Sequence, residues 1–200
     1  MSRRLVLASA SPARLALLRQ AGLAPDVVVS DVDETTVTAA RVSEKVALLA
    51  AAKATAVAGR EDDALVIGAD SLLEFRGQAM GKPADAQEAR ERWRRMAGRS
   101  GTLHTGQALF DVRGGAVESR DVVVTSTVVH FASPTPGEVE AYLATGEPLA
   151  VAGAFTLDGL GAPFVRRVEG DPASVVGLSL AALREQLRRR DLTITDLWHR

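Results

Sequence analysis

Two short apolar runs, Leu5-Val6-Leu7-Ala8 and Leu65-Val66-Ile67-Gly68-Ala69, most limit what this chain can fold into. Each is bounded by small or polar residues, and such runs read as buried strands. The first leads into Ser9-Ala10-Ser11-Pro12, where Pro12 suits the first helical position because its missing N–H is no loss there. Leu15, Leu17 and Leu18 follow at helical spacing, and Gly22 stops the helix. Residues 27–29 form a further strand, and Ser43 caps a long helix to residue 58 with Val46, Leu49, Ala50 and Val57 on one face. The second apolar run ends at Asp70. Residues 72–75, Arg76-Gly77 and 79–80 read as a hairpin, and residues 85–97 as an amphipathic helix with Ala89, Trp93 and Met96 aligned. The β-rich stretches 102–112 and 116–131 flank a turn at Arg113-Gly114-Gly115. Thr135 and Glu138 form a capping-box pattern. Residues 151–171 are Gly-rich and loop-like, 179–190 form a last helix, and the final ten residues form a fraying tail. Strands and helices mix without strict alternation, which predicts an α/β protein with a mixed sheet and a cleft.

With 200 residues the chain fits one domain, or two lobes sharing a core. Its 24 basic and 25 acidic residues leave a net charge of −1, so no broad electrostatic case arises for nucleic acid or membrane as partner. The absence of cysteine excludes disulfides, zinc–thiolate sites and thiol nucleophiles. The opening apolar run is too short, and too quickly polar, for a signal peptide or a membrane span. A cytoplasmic location is the expectation. Lys45, Lys53 and Lys82 are the three lysines against 21 arginines, so each draws attention in a chain that favours arginine.

Five segments can carry chemistry. Ser9-Ala10-Ser11-Pro12-Ala13-Arg14 places two hydroxyls and a guanidinium at a helix start, where free N–H groups favour an anion; a plain N-cap is the other reading. Asp70 follows an apolar strand, which places a carboxylate at the carboxyl edge of a sheet, with Gly68 and Ala69 leaving room beside it. Such a carboxylate holds a divalent metal, takes a proton from water, or caps a turn. Glu34, in Asp31-Val32-Asp33-Glu34-Thr35, offers hard oxygen for Mg²⁺ or belongs to a solvated acidic loop. Lys82, between Gly81 and Pro83, meets a phosphate as a point charge or is a turn lysine. Lys53 is a surface residue or a cation in the cleft. In the segment Gly153 to Gly161, repeated glycines allow close approach to a planar base, and Asp158 is placed to accept from base N–H groups; a connection with no binding role is the alternative. His104, His130 and His199 show no metal-ligand or triad spacing and read as structural or exposed. Trp93 reads as core and Trp198 as tail.

These segments together resemble the Maf family of nucleoside triphosphate pyrophosphatases, from Leu5 to about Leu187. Leu7-Ala8-Ser9-Ala10-Ser11-Pro12-Ala13-Arg14 is similar to the family's phosphate loop, and Val32-Asp33-Glu34 to its acidic loop. Lys53 falls at its helix lysine, Ile67-Gly68-Ala69-Asp70 at the segment of its catalytic aspartate, and Gly81-Lys82-Pro83 at its second lysine. Ala152-Gly153-Ala154-Phe155, Glu169-Gly170-Asp171 and Val176-Gly177-Leu178 resemble its closing signature. The resemblance implies a single domain over residues 1–200 with two lobes around one cleft. It implies a fold related to inosine triphosphatases, in which helices flank an extended mixed β-sheet. It also implies a divalent cation, Mg²⁺ or Mn²⁺, and homodimers. Asp70 would activate water, Glu34 and Asp70 would hold metal, and Ser9, Ser11, Arg14, Lys53 and Lys82 would bind the triphosphate. The family's pyrimidine-directed branch often carries Arg, Thr and Gln where this chain has Ala13, Ser71 and Asp158. Exchanging an amide for a carboxylate removes a donor, which predicts a base preference unlike that branch, broader or purine-tolerant. A housecleaning role toward non-canonical nucleotides is a further expectation from the resemblance.

Two other readings compete. Asp31-Val32-Asp33-Glu34-Thr35 mimics the Asp-x-Asp-x-Thr motif of haloacid-dehalogenase-type phosphatases, with Asp31 as nucleophile. That class also needs a later acidic pair after a strand, and none is clean here. The other reading is a non-catalytic nucleotide-binding regulator of cell division, which needs the phosphate loop but not Asp70.

Overall fold

The computed structural model describes residues 3–198. Its elements are β1 (Leu5–Leu7), α1 (Pro12–Gln20), β2 (Asp26–Val27), α2 (Val42–Ala58), β3 (Ala64–Phe75), β4 (Gln78–Met80), α3 (Ala86–Met96), β5 (Ser100–Arg113), β6 (Ala116–Phe131), α4 (Pro136–Ala144), β7 (Val165–Glu169), α5 (Pro172–Val176) and α6 (Leu180–Arg188). The strands form one mixed sheet in the order β2-β1-β3-β5-β6-β7, with β4 paired antiparallel to β3. Helices flank it, as the expected α/β class requires. Among the described residues no helix is long and apolar enough to cross a membrane.

The chain divides into two compact units. The first comprises the residues up to Asp70, Thr105–Thr125, and those from Gly177 on. Here β1 pairs in parallel with both β2 and β3, Leu5 opposite Leu65 and Leu7 opposite Ile67. Successive side chains of a strand point to opposite faces, and both faces are covered. Leu5, Leu7, Leu65, Ile67 and Ala69 pack with Leu18 of α1 and with Leu183 and Leu187 of α6. Val6, Val66, Ala108 and Phe110 pack with Ala50, Ala54 and Val57 of α2. That double burial explains the uninterrupted apolar runs. The second unit comprises Ser71–His104 and Ser126–Val176. Its core gathers Leu73, Phe75, Trp93, Met96, Phe131, Tyr142 and Phe155. The Trp93 ring meets Phe131 and Phe164 edge-on, with centroids 5.8 and 5.7 Å apart.

Several boundaries differ from the sequence reading. The strand thought to stop at Asp70 continues to Phe75, because β4 pairs with its distal half, Leu73 opposite Met80 and Phe75 opposite Gln78. Asp70 therefore lies inside a strand. It sits beyond the last parallel bond of β1, from the Ala8 N–H to the Ile67 carbonyl at 2.8 Å. Ser43 is not the cap of α2: Arg41 holds that position, without a side-chain bond, and Ser43 falls in the first turn. The strand expected over 27–29 is confined to Asp26–Val27. The Gly-rich stretch contains β7, which pairs antiparallel with β6. The tail is anchored at least to Trp198, with Leu197 buried and Leu23 bridged to Trp198. His199 lies outside the described residues.

Candidate active site

In the first unit the site starts from a glycine. Gly68 and Asp70 are two apart on β3 and so share a face. A Cβ at Gly68 would lie 2.2 Å from the Ala50 carbonyl oxygen and 2.7 Å from the Ala54 nitrogen. On β5, a Cβ at Gly106 would lie 2.1 Å from the Val46 carbonyl oxygen. The two missing side chains let the backbone of α2 lie directly on the strands. Gly68 therefore leaves room for a helix and not, as expected from the sequence, for the neighbourhood of the carboxylate. An isolated glycine inside a strand pattern is the signal for such an approach.

The close approach brings Lys53 of α2 to Asp70. The Lys53 Nζ stands 2.6 Å from Asp70 Oδ1 and 2.6 Å from Glu34 Oε1. Lys53 and Asp70 are buried, while the Glu34 side chain is 54% exposed. Glu34 opens a single helical turn, Glu34–Thr36, whose N-cap Asp33 accepts from the Thr35 N–H at 3.0 Å. Burial pushes the Asp70 carboxyl above its ordinary range; Lys53 and then Arg14 pull it down, and Glu34 pushes it up again.

The phosphate-loop candidate is assembled around Arg14. Ser11 is the N-cap of α1, its hydroxyl accepting from the Arg14 N–H at 3.4 Å, so the plain capping role is present. The buried Arg14 donates from Nη1 to Ser9 Oγ at 3.0 Å and from Nε to the Gly177 carbonyl at 2.8 Å. Gly177 makes room for it, since a Cβ there would meet Arg14 Nε at 3.0 Å. Burial pushes the Arg14 guanidinium below its usual range, against the pull of Asp70 and Glu34. Ser9 Oγ also accepts from the Ser11 N–H at 3.3 Å, which leaves its own proton to donate. Ala13 is half-buried in the first turn of α1. Ser9, Arg14, Lys53, Asp70 and Glu34 are thus one electrostatic neighbourhood assembled from four separate stretches of the chain.

Lys82, Ser71 and Asp158 belong to the second unit. Ser71 is half-buried in β3, and Lys82 and Asp158 are exposed. His104 is structural, as expected: its Nδ1 lies 2.8 Å from Ser126 Oγ and its Nε2 3.0 Å from Glu74 Oε2. Asp31 is exposed, with a φ of 51°, and Asp33 is engaged as a cap.

Glu34 and Asp70 offer the hard carboxylate oxygens that suit Mg²⁺. That ion is usually held by one or two carboxylates together with substrate phosphates rather than by an all-protein cage. Among the described residues no group of three or more His, Cys, Asp or Glu is assembled for a metal.

Residues 4–190 match the family model described as Maf-like protein. A protein of Salinispora tropica is 56% identical over 202 residues, spanning 98% of this chain and 88% of the relative. One of Streptomyces coelicolor is 57% identical over 199 residues, spanning 98% and 95%. One of Leifsonia xyli is 52% identical over 210 residues, spanning 98% and 97%. Each of the three carries the name nucleoside triphosphate pyrophosphatase.

Proposed function

The chain belongs to the Maf-like protein family, and on that premise we propose that it hydrolyses nucleoside triphosphates to monophosphate and pyrophosphate. The observation that carries the reading is the cluster in which Lys53 meets Asp70 and Glu34, each at 2.6 Å. A triphosphate brings about four negative charges, so its hydrolysis needs cations near the reacting phosphorus and a base for water. Arg14 and Lys53 supply fixed positive charge. Ser9 and Ser11 supply hydroxyls at a helix start, a favourable place for an anion.

Asp70 is the general base. Its carboxyl is raised by burial, and a base with a raised pKa is a better proton acceptor near neutral pH. It takes the proton of a water attacking the α-phosphorus, and pyrophosphate leaves with the electron pair of the broken P–O bond. Glu34 and Asp70 hold a divalent cation, Mg²⁺ or Mn²⁺, which supplies charge neutralisation at the phosphates when bound. Lys82 of the second unit binds phosphate as a point charge. Ala13, Ser71 and Asp158 replace the residues that read a pyrimidine in one branch of the family, so base preference is broader than in that branch.

The deciding experiment is a product assay across dTTP, UTP, CTP, GTP and base-modified triphosphates with Mg²⁺ or Mn²⁺. Pyrophosphate and monophosphate in equal amounts are expected. Orthophosphate with nucleoside diphosphate, and no pyrophosphate, would sink the reading. Clear selectivity for dTTP and UTP would overturn the base preference alone.

A further inference from the structure

In the second unit, helix α3 carries a buried arginine that the proposed chemistry leaves unused. Arg92 is 8% exposed. It is paired four residues back with Glu88, whose Oε1 accepts from Arg92 Nε at 3.1 Å and Nη2 at 2.6 Å. An i,i+4 pair of this kind ordinarily contributes a few tenths of a kcal/mol to a helix and needs no burial. This pair reaches further. Arg92 Nη1 donates to the Gly81 carbonyl at 2.5 Å, and Glu88 Oε2 accepts from the Ala84 N–H at 2.7 Å. Gly81 and Ala84 are the two residues that flank Lys82-Pro83. Between them Pro83 has no N–H and a fixed φ, and its side chain is buried. The Gly81 carbonyl takes a second bond, from the Gly153 N–H at 3.1 Å, and the neighbouring Trp93 donates to the Ala154 carbonyl at 2.8 Å. Lys82 itself is exposed. The short turn is thus tied down at both ends while the lysine it carries projects into solvent.

We propose that Arg92 and Glu88 are positioning residues for Lys82, a two-point clamp that fixes the turn from which this cation meets the polyphosphate. The proposal rests on the reading of Lys82 as a phosphate-binding residue. A buried guanidinium has donors to satisfy, and its planar fork engages the carboxylate and the Gly81 carbonyl at once, which an ammonium on a flexible stem does not reproduce. The Ala84 N–H, and after it Arg92, holds the Glu88 carboxyl below its ordinary range, so the clamp is charged at neutral pH.

The test is a mutant cycle read by steady-state kinetics on a nucleoside triphosphate. Lys82→Ala should raise KM, and Arg92→Lys should raise it by about tenfold with kcat little changed, the scale of one lost hydrogen bond to a charged group. In the Lys82→Ala background the same Arg92→Lys change should add nothing to KM. Glu88→Gln keeps an oxygen for the Ala84 N–H but removes the charge facing Arg92. It should move KM the same way by less, and it serves if Arg92→Lys does not fold. Equal factors with and without Lys82 would make the pair merely structural and overturn the clamp. A Lys82→Ala effect with no effect from Arg92→Lys or Glu88→Gln would overturn the clamp and leave the phosphate reading of Lys82 standing. An unchanged KM in Lys82→Ala would overturn both.

Discussion

One ammonium shared between two carboxylates has unequal consequences for its three members. Lys53 and Asp70 are both buried, and Glu34 is more than half exposed. Removing the charge of Asp70 leaves Lys53 with Glu34 as partner, whereas removing the charge of Lys53 leaves a carboxylate buried without its main counter-ion. Breaking a buried pair from one side costs about 3–5 kcal/mol, most of it from the stranded charge. Asp70→Asn is therefore expected to lower turnover by roughly 10²-fold or more, the range for a positioned base, with little loss of thermal stability. Lys53→Met should lower both, its melting temperature falling by about 6–20 °C at about 2–4 °C per kcal/mol for a chain of this size. Pyrophosphate release and thermal unfolding of the two variants side by side make the comparison. Equal destabilisation by both would show that Glu34 does not make up for Asp70 as the partner of Lys53.

Because α2 rests on glycines, Gly68→Ala places a methyl 2.2 Å from the Ala50 carbonyl oxygen. The helix must lift, at a cost of about 1–3 kcal/mol for overpacking, and Lys53 withdraws from Asp70 as it does so. Gly137→Ala in α4 meets nothing within 4 Å and needs no unusual φ. It should stabilise by about 0.5–1 kcal/mol through helix propensity, so chemical denaturation of the pair separates close approach from a general intolerance of methyls. The turn after α4 hangs on Glu147. Its carboxylate accepts from Thr156 Oγ at 2.5 Å, the Tyr142 hydroxyl at 3.0 Å, the Leu160 N–H at 3.0 Å and the Gly161 N–H at 3.1 Å, enclosing the turn that bears Asp158. Burial alone would push the Glu147 carboxyl up, but these bonds outweigh it and hold the group below its ordinary range. A depressed folded-state pKa contributes stability that is complete above the unfolded value, about 4.3, and is lost as pH falls through the folded value. Glu147→Gln should thus lower stability by about 1–2 kcal/mol near neutral pH, and its melting-temperature gap to the unaltered protein should narrow below about pH 4. A gap independent of pH would mean that shape, not charge, holds the turn. Elements with local signals were legible beforehand: the capping-box pattern at Thr135 marks the start of α4, and the helices read from residues 85 and 179 begin one residue later, at Ala86 and Leu180. The full length of β3 was not legible. A polar residue after an apolar run looks like an end; the hairpin read over residues 72–80 is present, with Leu73 opposite Met80, but its first strand is the continuation of the one that carries Asp70.

At the scale of the whole molecule, charge decides how a polyanion is drawn in. With 24 basic and 25 acidic residues the chain has no net field to attract a triphosphate, so affinity must come from local cations. The same balance explains what could be read in advance. Lys53 and Lys82 stood out against 21 arginines, but the ion pair of Lys53 with Asp70 depends on the seating of α2 over Gly68, a tertiary contact with no local signature. The buried seat of Arg14 against Gly177 is likewise a contact across 163 positions that no window along the chain contains. A ligand held by such local cations stabilises the folded state by mass action, about 2.7 kcal/mol at a hundred times its Kd. For a chain of this size that corresponds to a rise in melting temperature of about 5–10 °C. A triphosphate with a methylene bridge between the α- and β-phosphorus, which resists the proposed cleavage, is the probe to use with Mg²⁺. The rise should shrink in Lys82→Ala and be largely lost in Lys53→Met compared with each variant alone. It should also weaken as salt rises from 0.05 to 0.5 M, because the Debye length shortens from roughly 14 to 4 Å and screens exposed cations first. Lys82 is exposed and Lys53 is buried, so the part of the shift that depends on Lys82 should be the more salt-sensitive of the two. A shift of equal size in all three proteins would mean that the analogue binds away from both lysines.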